Sequence, residues 1–434
     1  MERILAMATA LPVPPIPVPS RWGAAGDAMR IPGFRVLIAM QVAMGLTQPV
    51  LFFTQGWFVN TVAPEGSKVV YLGLLGASRG IVFLLYVMVG GALADRFPRL
   101  RVLRISHISA LLLVLVIDAL LWVPAIGRGD GAALPIMIAL FASFGLITAQ
   151  DLPARTSMVR ESLPDPLLGG GIAFFQLAMA GMLVVAAPFA GWSIERFGIP
   201  VTYVVAAGGP VTVLLLSMLL PRGVGAADPD AKQTSMMANI RDGVRVMREQ
   251  PAVRWTVFLT WISIAAGLSV MGILIAAWVS EVLLLDAAGW GTLALFWGLG
   301  SLASSLYLTR RSLDRHRGVF FLASSAVFGI AVLGFSLSRA TPLAFAFNGL
   351  AGAAMMAFNI AGLTIVQAMV PNRYLGRVTG LLMLGQGLMQ VAALGIGILA
   401  GIVGMEVVYP AAGLLIILAT AGVAIFQAPL RRLD

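Results

Sequence analysis

Two ionisable residues lie deep within long apolar stretches and are the groups best placed to do chemistry. Arg79 and Asp118 each fall inside an apolar run of about 20 residues, the length that crosses a bilayer. A charge in such a position costs several kcal/mol unless it is paired or hydrated. Counting ~1.5 Å per residue puts both about 12–15 Å from the same end of neighbouring helices. Two interpretations stay open: a structural ion pair, or Asp118 as a proton carrier whose affinity changes as Arg79 moves away.

Neutral amides form a second set of candidates. Gln41, Gln48 and Gln55 are spaced seven apart, so each drifts only ~20° from the last and all share one helix face. Asn348 and Asn359 align similarly on a later helix, with Met355 between them. Amides on one face suit a wet cavity; bonds between helices are the alternative. The remaining candidate cavity residues are Phe52, Gln176, Gln386 and Gln390.

The composition requires that apolar helices position these groups. The chain has 434 residues, 59% of them hydrophobic and 11% charged, with mean hydropathy +0.94. Soluble domains carry about 25% charged residues, so this chain belongs in lipid. Backbone groups in lipid must be satisfied within each segment, so the runs are predicted to be helices. The twelve predicted spans are 33–61, 69–95, 102–126, 132–151, 167–193, 199–220, 253–284, 287–309, 318–338, 341–370, 374–403 and 406–427.

A longer connection divides the spans into two groups of six. The predicted organisation is a disordered cytoplasmic tail (1–32), a six-helix bundle (33–220), a linker with an amphipathic helix (221–252), a second six-helix bundle (253–427) and a short tail (428–434). The fold class is therefore an all-α membrane protein with two six-helix bundles. Two bundles joined in this way suit alternating access about a site at the middle of the membrane.

Basic residues indicate the orientation and the partners. With a cytoplasmic N-terminus, most of the 29 lysines and arginines fall on the cytoplasmic side of a plasma membrane, and both termini lie inside. The net charge of +10 is spread over short loops, which favours lipid headgroups over nucleic acid. The sequence shows no nucleotide-binding loop, catalytic triad or metal-spaced cluster, and no cysteine. No enzyme activity, cofactor or metal is expected.

The segment from 91 to 103 resembles motif A of the major facilitator superfamily, Gly-x-Leu-x-Asp-Arg-x-Gly-Arg-(Arg/Lys)-x-x-Leu. The matching residues are Gly91, Leu93, Asp95, Arg96, Arg99 and Leu103. Pro98 replaces the loop glycine of the motif. The resemblance implies that Asp95 and Arg96 latch the two halves near the start of helix 11, with Arg377 as a partner. The alternative is that they only anchor the loop and set the topology.

Further stretches resemble particular members of this superfamily. Pro188 and Gly191 resemble a relaxed form of the helix 5 antiporter motif, although ordinary packing explains them equally. The stretches 151–164, 240–254 and 367–378 are similar to the branch of macrolide-type drug exporters and the enterobactin exporter. Relatives in that branch often carry an acid in the middle of helix 1, where this chain has Thr47 and Gln48.

The resemblance implies a proton-coupled exporter of an amphipathic small molecule, such as a drug, siderophore or metabolite. Two alternatives remain: an importer or facilitator of the same fold, and a membrane sensor or scaffold that transports nothing.

Overall fold

The computed structural model describes residues 23–94, 98–127, 133–148, 151–221, 236–310 and 316–431, and within these ranges the regular elements are all helical. The first half contains α1 Gly23–Ala28, α2 Pro32–Val62, α3 Lys68–Ala94, α4 Arg99–Leu121, α5 Pro124–Gly127, α6 Ala133–Thr148, α7 Asp151–Ser162 and α8 Asp165–Ser217. The linker helix is α9 Met236–Glu249. The second half contains α10 Pro251–Ser263, a π-helical segment Ile264–Ile273, α11 Ile275–Glu281, α12 Ala287–Arg310, α13 Arg317–Leu337, α14 Thr341–Met369, α15 Asn372–Val403, α16 Met405–Phe426 and α17 Ala428–Arg431.

Ten of the described helices are long and apolar enough to cross a membrane, and Ala133–Gly145 is a shorter apolar helix. One of the ten, α8, has 53 residues and would be about 80 Å long if straight, more than twice the ~30 Å of hydrocarbon. It breaks at Gly198, whose φ of 82° is readily adopted only by glycine, and Pro200 follows. The chain is therefore a multi-pass integral membrane protein.

Two predicted boundaries differ from the structure. The predicted fourth helix, 132–151, corresponds to α6, and α7 begins at Asp151, where a loop was expected. The segment 1–32 was predicted to be a disordered tail, but α1 lies within it and Asp27 and Ala28 are buried. Residues 1–22 lie outside the described part of the chain.

We call the membrane face where α2 begins the near face, and the face where α2 ends the far face. A single apolar core joins both halves at the far face, including Leu51, Phe58 and Leu72 from the first half with Trp278 and Leu293 from the second. Near-face residues of the first half, such as Phe34 and Phe175, form a separate core. Residues of the linker and the adjoining second half, such as Val246 and Val378, form another. The described apolar cores thus unite the halves at one face only.

The seventh span is irregular in the middle. Its ten π-helical residues lie between α10 and α11, where Ser269 Oγ donates to the Met389 carbonyl of α15 at 2.8 Å. The Tyr409 hydroxyl donates to the Leu274 carbonyl at 2.8 Å. π-Helical geometry is rare in proteins and, where it occurs, is often found at functional sites. This segment faces the other half of the molecule, because Ile273 adjoins Gly76 of α3.

The linker helix α9 packs against the second half. A Cβ on Gly243 would lie 2.9 Å from Leu381 of α15, so the two helices are in close contact. Val246 is buried in the core that contains Val253 and Val378. The predicted amphipathic linker helix is present as α9, and the described part of its apolar face covers protein.

Candidate functional site: the interface between the halves and its polar neighbours

Glycines bring the two halves into close contact at the far face. On α3, added Cβ atoms at Gly73 and Gly80 would lie 2.7 Å from the Ala393 carbonyl oxygen and 2.8 Å from Gln390, both on α15. On the opposite side, a Cβ at Gly191 of α8 would lie 2.3 Å from the Ala287 carbonyl oxygen. Backbones approach this closely only where side chains are absent or small.

Polar and aromatic contacts complete the far-face seal. The amide of Asn60 on α2 donates to Ser280 Oγ of α11 at 3.0 Å, and Lys68 pairs with Glu281 at 3.3 Å. Trp290 stacks on Trp57 with ring centroids 5.8 Å apart. Because each contact joins the first half to the second, the described far face is closed.

Arg79 lies against α2 and does not pair with Asp118. It donates to Gln55 Oε1, and its guanidinium carbon sits 5.0 Å from the centre of the Phe52 ring. No ion pair joins Arg79 to an acidic group within the described parts of the chain. Asp118 instead lies near Trp122, the residue that follows the end of α4, and its Oδ1 lacks a hydrogen-bond partner. The predicted ion pair is therefore wrong for this conformation, because an amide and an aromatic ring solvate the guanidinium in place of a carboxylate.

A buried ionic network lies nearer the near face. Arg155 makes two bonds to Asp151, at 2.9 Å from Nε and 2.5 Å from Nη2, and it also donates to the Gln41 side chain of α2. The Nε2 atom of His107 on α4 is 3.4 Å from Asp151 Oδ1. The exposed fractions of Asp151, Arg155 and His107 are 0%, 2% and 1%. Sequence reasoning missed this network because it placed Asp151 at the end of the fourth span and Arg155 in the loop that follows. The spacing of four between them, which puts both on one helix face, was the available signal.

Hydrogen bonds between helices account for part of the predicted amide set. Gln41 and Gln55 are buried and each accepts a bond from an arginine. Asn348 is buried and donates to the Leu293 carbonyl at 2.5 Å. Two of the three glutamines thus make hydrogen bonds to arginines of the first half, and the cavity-facing role of the set stays a prediction. Gln48, Phe52 and Gln390 are half-buried, Met355 is buried, and Gln176, Asn359 and Gln386 are exposed.

The predicted latch is only partly described. Gly91 and Leu93 lie in the last turn of α3, and Asp95 and Arg96 lie outside the described residues. Arg99 begins α4 and donates to Glu161 of α7. Arg377, on the first turns of α15, donates to Asp242 of the linker helix at 2.6 Å.

Pro188 lies inside α8, three residues before Gly191. A Cβ on Gly291 of α12 would approach the Ala187 carbonyl oxygen of α8 to 2.7 Å. Glycines on both α8 and α12 therefore allow the close contact between these helices. The antiporter-like residues are thus part of the interface between the halves. Among the described residues there is no group of three or more acidic or histidine side chains that could hold a metal ion.

Two sets of apolar helices, closed against each other at one face, define the fold of a multi-pass membrane protein. Residues 38–394 match the model of the Major Facilitator Superfamily. The chain belongs to this superfamily and is a transporter of that kind.

The chain is 24% identical over 361 residues to YfiS of Bacillus subtilis (strain 168), an uncharacterized MFS-type transporter; the match covers 80% of this chain and 82% of YfiS. The fold is similar to that of the nucleoside transporter NupG, with TM-score 0.69, 13% identity, and coverage of 91% of this chain and 100% of NupG. It is also similar to a D-xylose-proton symporter, with TM-score 0.67, 15% identity, and coverage of 89% and 95%.

Proposed function

We propose that this protein is a proton-coupled exporter that moves an amphipathic small molecule out of the cytoplasm by alternating access. The observation that carries the proposal is the division of the apolar core, which unites the halves at the far face and leaves separate cores at the near face. A rocking transporter in its inward-facing state has this arrangement. The two halves are then 33–220 and 253–427, joined by the linker.

In this proposal the near face is cytoplasmic and the membrane is the plasma membrane. The placement of lysine and arginine supports this orientation. The chain then crosses twelve times, because α8 counts as two spans divided at Gly198 and α6 as one. Both termini lie inside.

The His107 network supports coupling to protons. A backbone carbonyl can only accept, so His107 Nδ1 carries the hydrogen that bonds to the Leu103 carbonyl at 2.9 Å. Nε2 then has a lone pair facing Asp151, and it forms a favourable contact only after binding a proton. Because Gln41 joins this network to α2, protonation is linked to a helix that contributes to the interface. Asp118 remains a second candidate proton carrier.

The exposed and half-buried polar residues support an amphipathic substrate. Exposed amides inside a span are costly against lipid, so we infer that Gln176, Asn359 and Gln386 face the water-filled space between the halves. Gln48, Phe52 and Gln390 add amide and aromatic surface to it. Such a lining favours a solute with both polar and apolar parts.

We also propose that Asp95 and Arg96 form the cytoplasmic latch of the outward-facing state. Arg377 pairs with Asp242 here, so closing the near face would allow it to exchange that carboxylate for Asp95. A carboxylate near a helix N-terminus gains about 0.3–1 kcal/mol, which matters between states of similar free energy.

Accumulation of fluorescent amphipathic dyes in cells expressing the protein tests this function. We expect expression to lower accumulation, a protonophore to restore it, and His107→Gln to weaken the effect more than Asp118→Asn. Normal protonophore-sensitive efflux by His107→Gln would remove the network from coupling. Loss of efflux in Asp118→Asn alone would make Asp118 the carrier.

Uptake is the second candidate, because one structural neighbour is a D-xylose-proton symporter. Higher dye accumulation on expression would favour uptake. A sensor or scaffold predicts no change in accumulation with expression.

A further inference from the structure

The geometry around Arg79 points to a carboxylate-binding subsite formed by Arg79, Gln55 and Tyr203, so that the transported molecule is an amphipathic organic anion. This inference deepens the proposed function and rests on it. It concerns the chemical class of the substrate, which the fold does not determine.

The three side chains offer donors without enough acceptors. A guanidinium has five N–H donors, and among the described residues Arg79 uses one hydrogen bond, to Gln55 Oε1. Gln55 Nε2 and the Tyr203 hydroxyl are buried and make no hydrogen bond of standard geometry. The Tyr203 hydroxyl lies close enough to the Gln55 side chain for a bond between the two, and it also lies near Arg79. Buried donors left unpaired are costly, and an anion with two oxygens would satisfy them together.

The charge requires the same kind of ligand. Arg79 lies within the apolar window Lys68–Leu85, yet no described carboxylate pairs with it. It is half-buried, whereas Gln55 and Tyr203 are fully buried. Its accessible surface therefore faces water or a ligand, because exposing a guanidinium to lipid is expensive.

The neighbouring ring explains why the ligand would be amphipathic. Phe52 lies 5.0 Å from the guanidinium, and its ring is 6.1 Å from that of Phe53. Phe53 in turn packs on Trp290 of the second half, with centroids 4.5 Å apart. An apolar group attached to a bound carboxylate would find aromatic surface within a few ångströms of the charge.

Binding to the purified full-length protein tests the inference without requiring transport. The probes are benzoate, indole-3-acetate and cholate, each compared with its neutral primary amide by thermal shift at pH 7.5. A ligand that binds the folded state raises the melting temperature in proportion to its occupancy. Because the three probes carry apolar groups of different sizes, the comparison separates a preference for the carboxylate charge from a preference for one ligand size.

We expect the wild-type protein to bind at least one carboxylate about tenfold more tightly than its amide. Arg79→Gln should abolish that preference while keeping amide binding, which shows that the variant is folded. Arg79→Lys should retain part of the preference. Arg339→Gln removes the same charge from an exposed pair with Glu406 and should leave the preference unchanged.

A wild-type protein that prefers none of the carboxylates would overturn the inference, as would an unchanged preference in Arg79→Gln. Carboxylate preference without efflux would overturn the exporter proposal alone. Efflux restricted to neutral and cationic dyes, with no carboxylate preference, would overturn this inference alone.

Discussion

At the scale of single residues, the main feature is a set of buried ionic and amide groups inside the first half. Arg155 is tied to Asp151 and Gln41, and Arg79 is tied to Gln55. The two arginines thus anchor the same helix, α2, at two depths. Sequence periodicity predicted that Gln41 and Gln55 share one helix face, but it could not show that arginines from other helices donate hydrogen bonds to them.

The buried pair predicts a large asymmetry between single and double substitutions. Replacing Asp151 with Asn leaves Arg155 buried without its counter-ion, which typically costs about 3–5 kcal/mol. We therefore expect Asp151→Asn to lower the melting temperature strongly. Adding Arg155→Met should recover much of the loss, because it removes the unpaired charge.

Thermal unfolding of the purified protein measures both effects. Arg339→Gln is the matched control, since exposed pairs contribute about 0–1 kcal/mol. Equal melting temperatures for wild type and Asp151→Asn would show that the pair contributes little to the stability of the purified protein.

At the scale of helices, most elements could be predicted and their irregularities could not. Apolar run length identified the spans because backbone groups in lipid leave few alternatives to a helix. The start of α7 was missed because the stretch 151–164 was assigned, by resemblance, to the loop between the fourth and fifth spans. Pro153 lies in the first turn of α7, where proline is tolerated. The π-helical segment had no local sequence signal, since its geometry depends on packing against α15.

The contact between α8 and α12 yields a prediction at this scale. Gly191→Ala would place a methyl group 2.3 Å from the Ala287 carbonyl oxygen, so the helices must separate. Overpacking costs about 1–3 kcal/mol, enough to shift an equilibrium about tenfold toward far-face opening. We expect faster reaction of a single Ser280→Cys with an impermeant maleimide.

Gly181→Ala on the same helix is the matched control, because an added Cβ there meets nothing within 4 Å. The absence of native cysteine makes the introduced thiol the sole label. Identical labelling rates in the two variants would mean that this contact does not hold the far face closed.

At the scale of the whole molecule, the arrangement of the apolar cores supports the proposed alternating access. Both halves share apolar packing at the far face and keep separate cores at the near face. Composition predicted a multi-pass membrane protein, the long central connection predicted two halves, and motif A indicated the superfamily. The conformational state could not be predicted, because in the proposed mechanism one sequence encodes both an inward-facing and an outward-facing form.

The central claim is that the halves rock about the middle of the membrane. Double electron–electron resonance in lipid nanodiscs tests it, with spin labels at Ser162→Cys and Met369→Cys for the near face, and at Pro64→Cys and Leu284→Cys for the far face. Lowering the pH from about 8 to 5 should repopulate the states, because proton coupling requires the two states to bind protons with different affinities. The account predicts two label-to-label distances at each face, one for each conformational state. When the pH changes the populations, the near-face distance should shorten as the far-face distance lengthens. A single pH-independent distance at both faces, or distances that lengthen together, would contradict it.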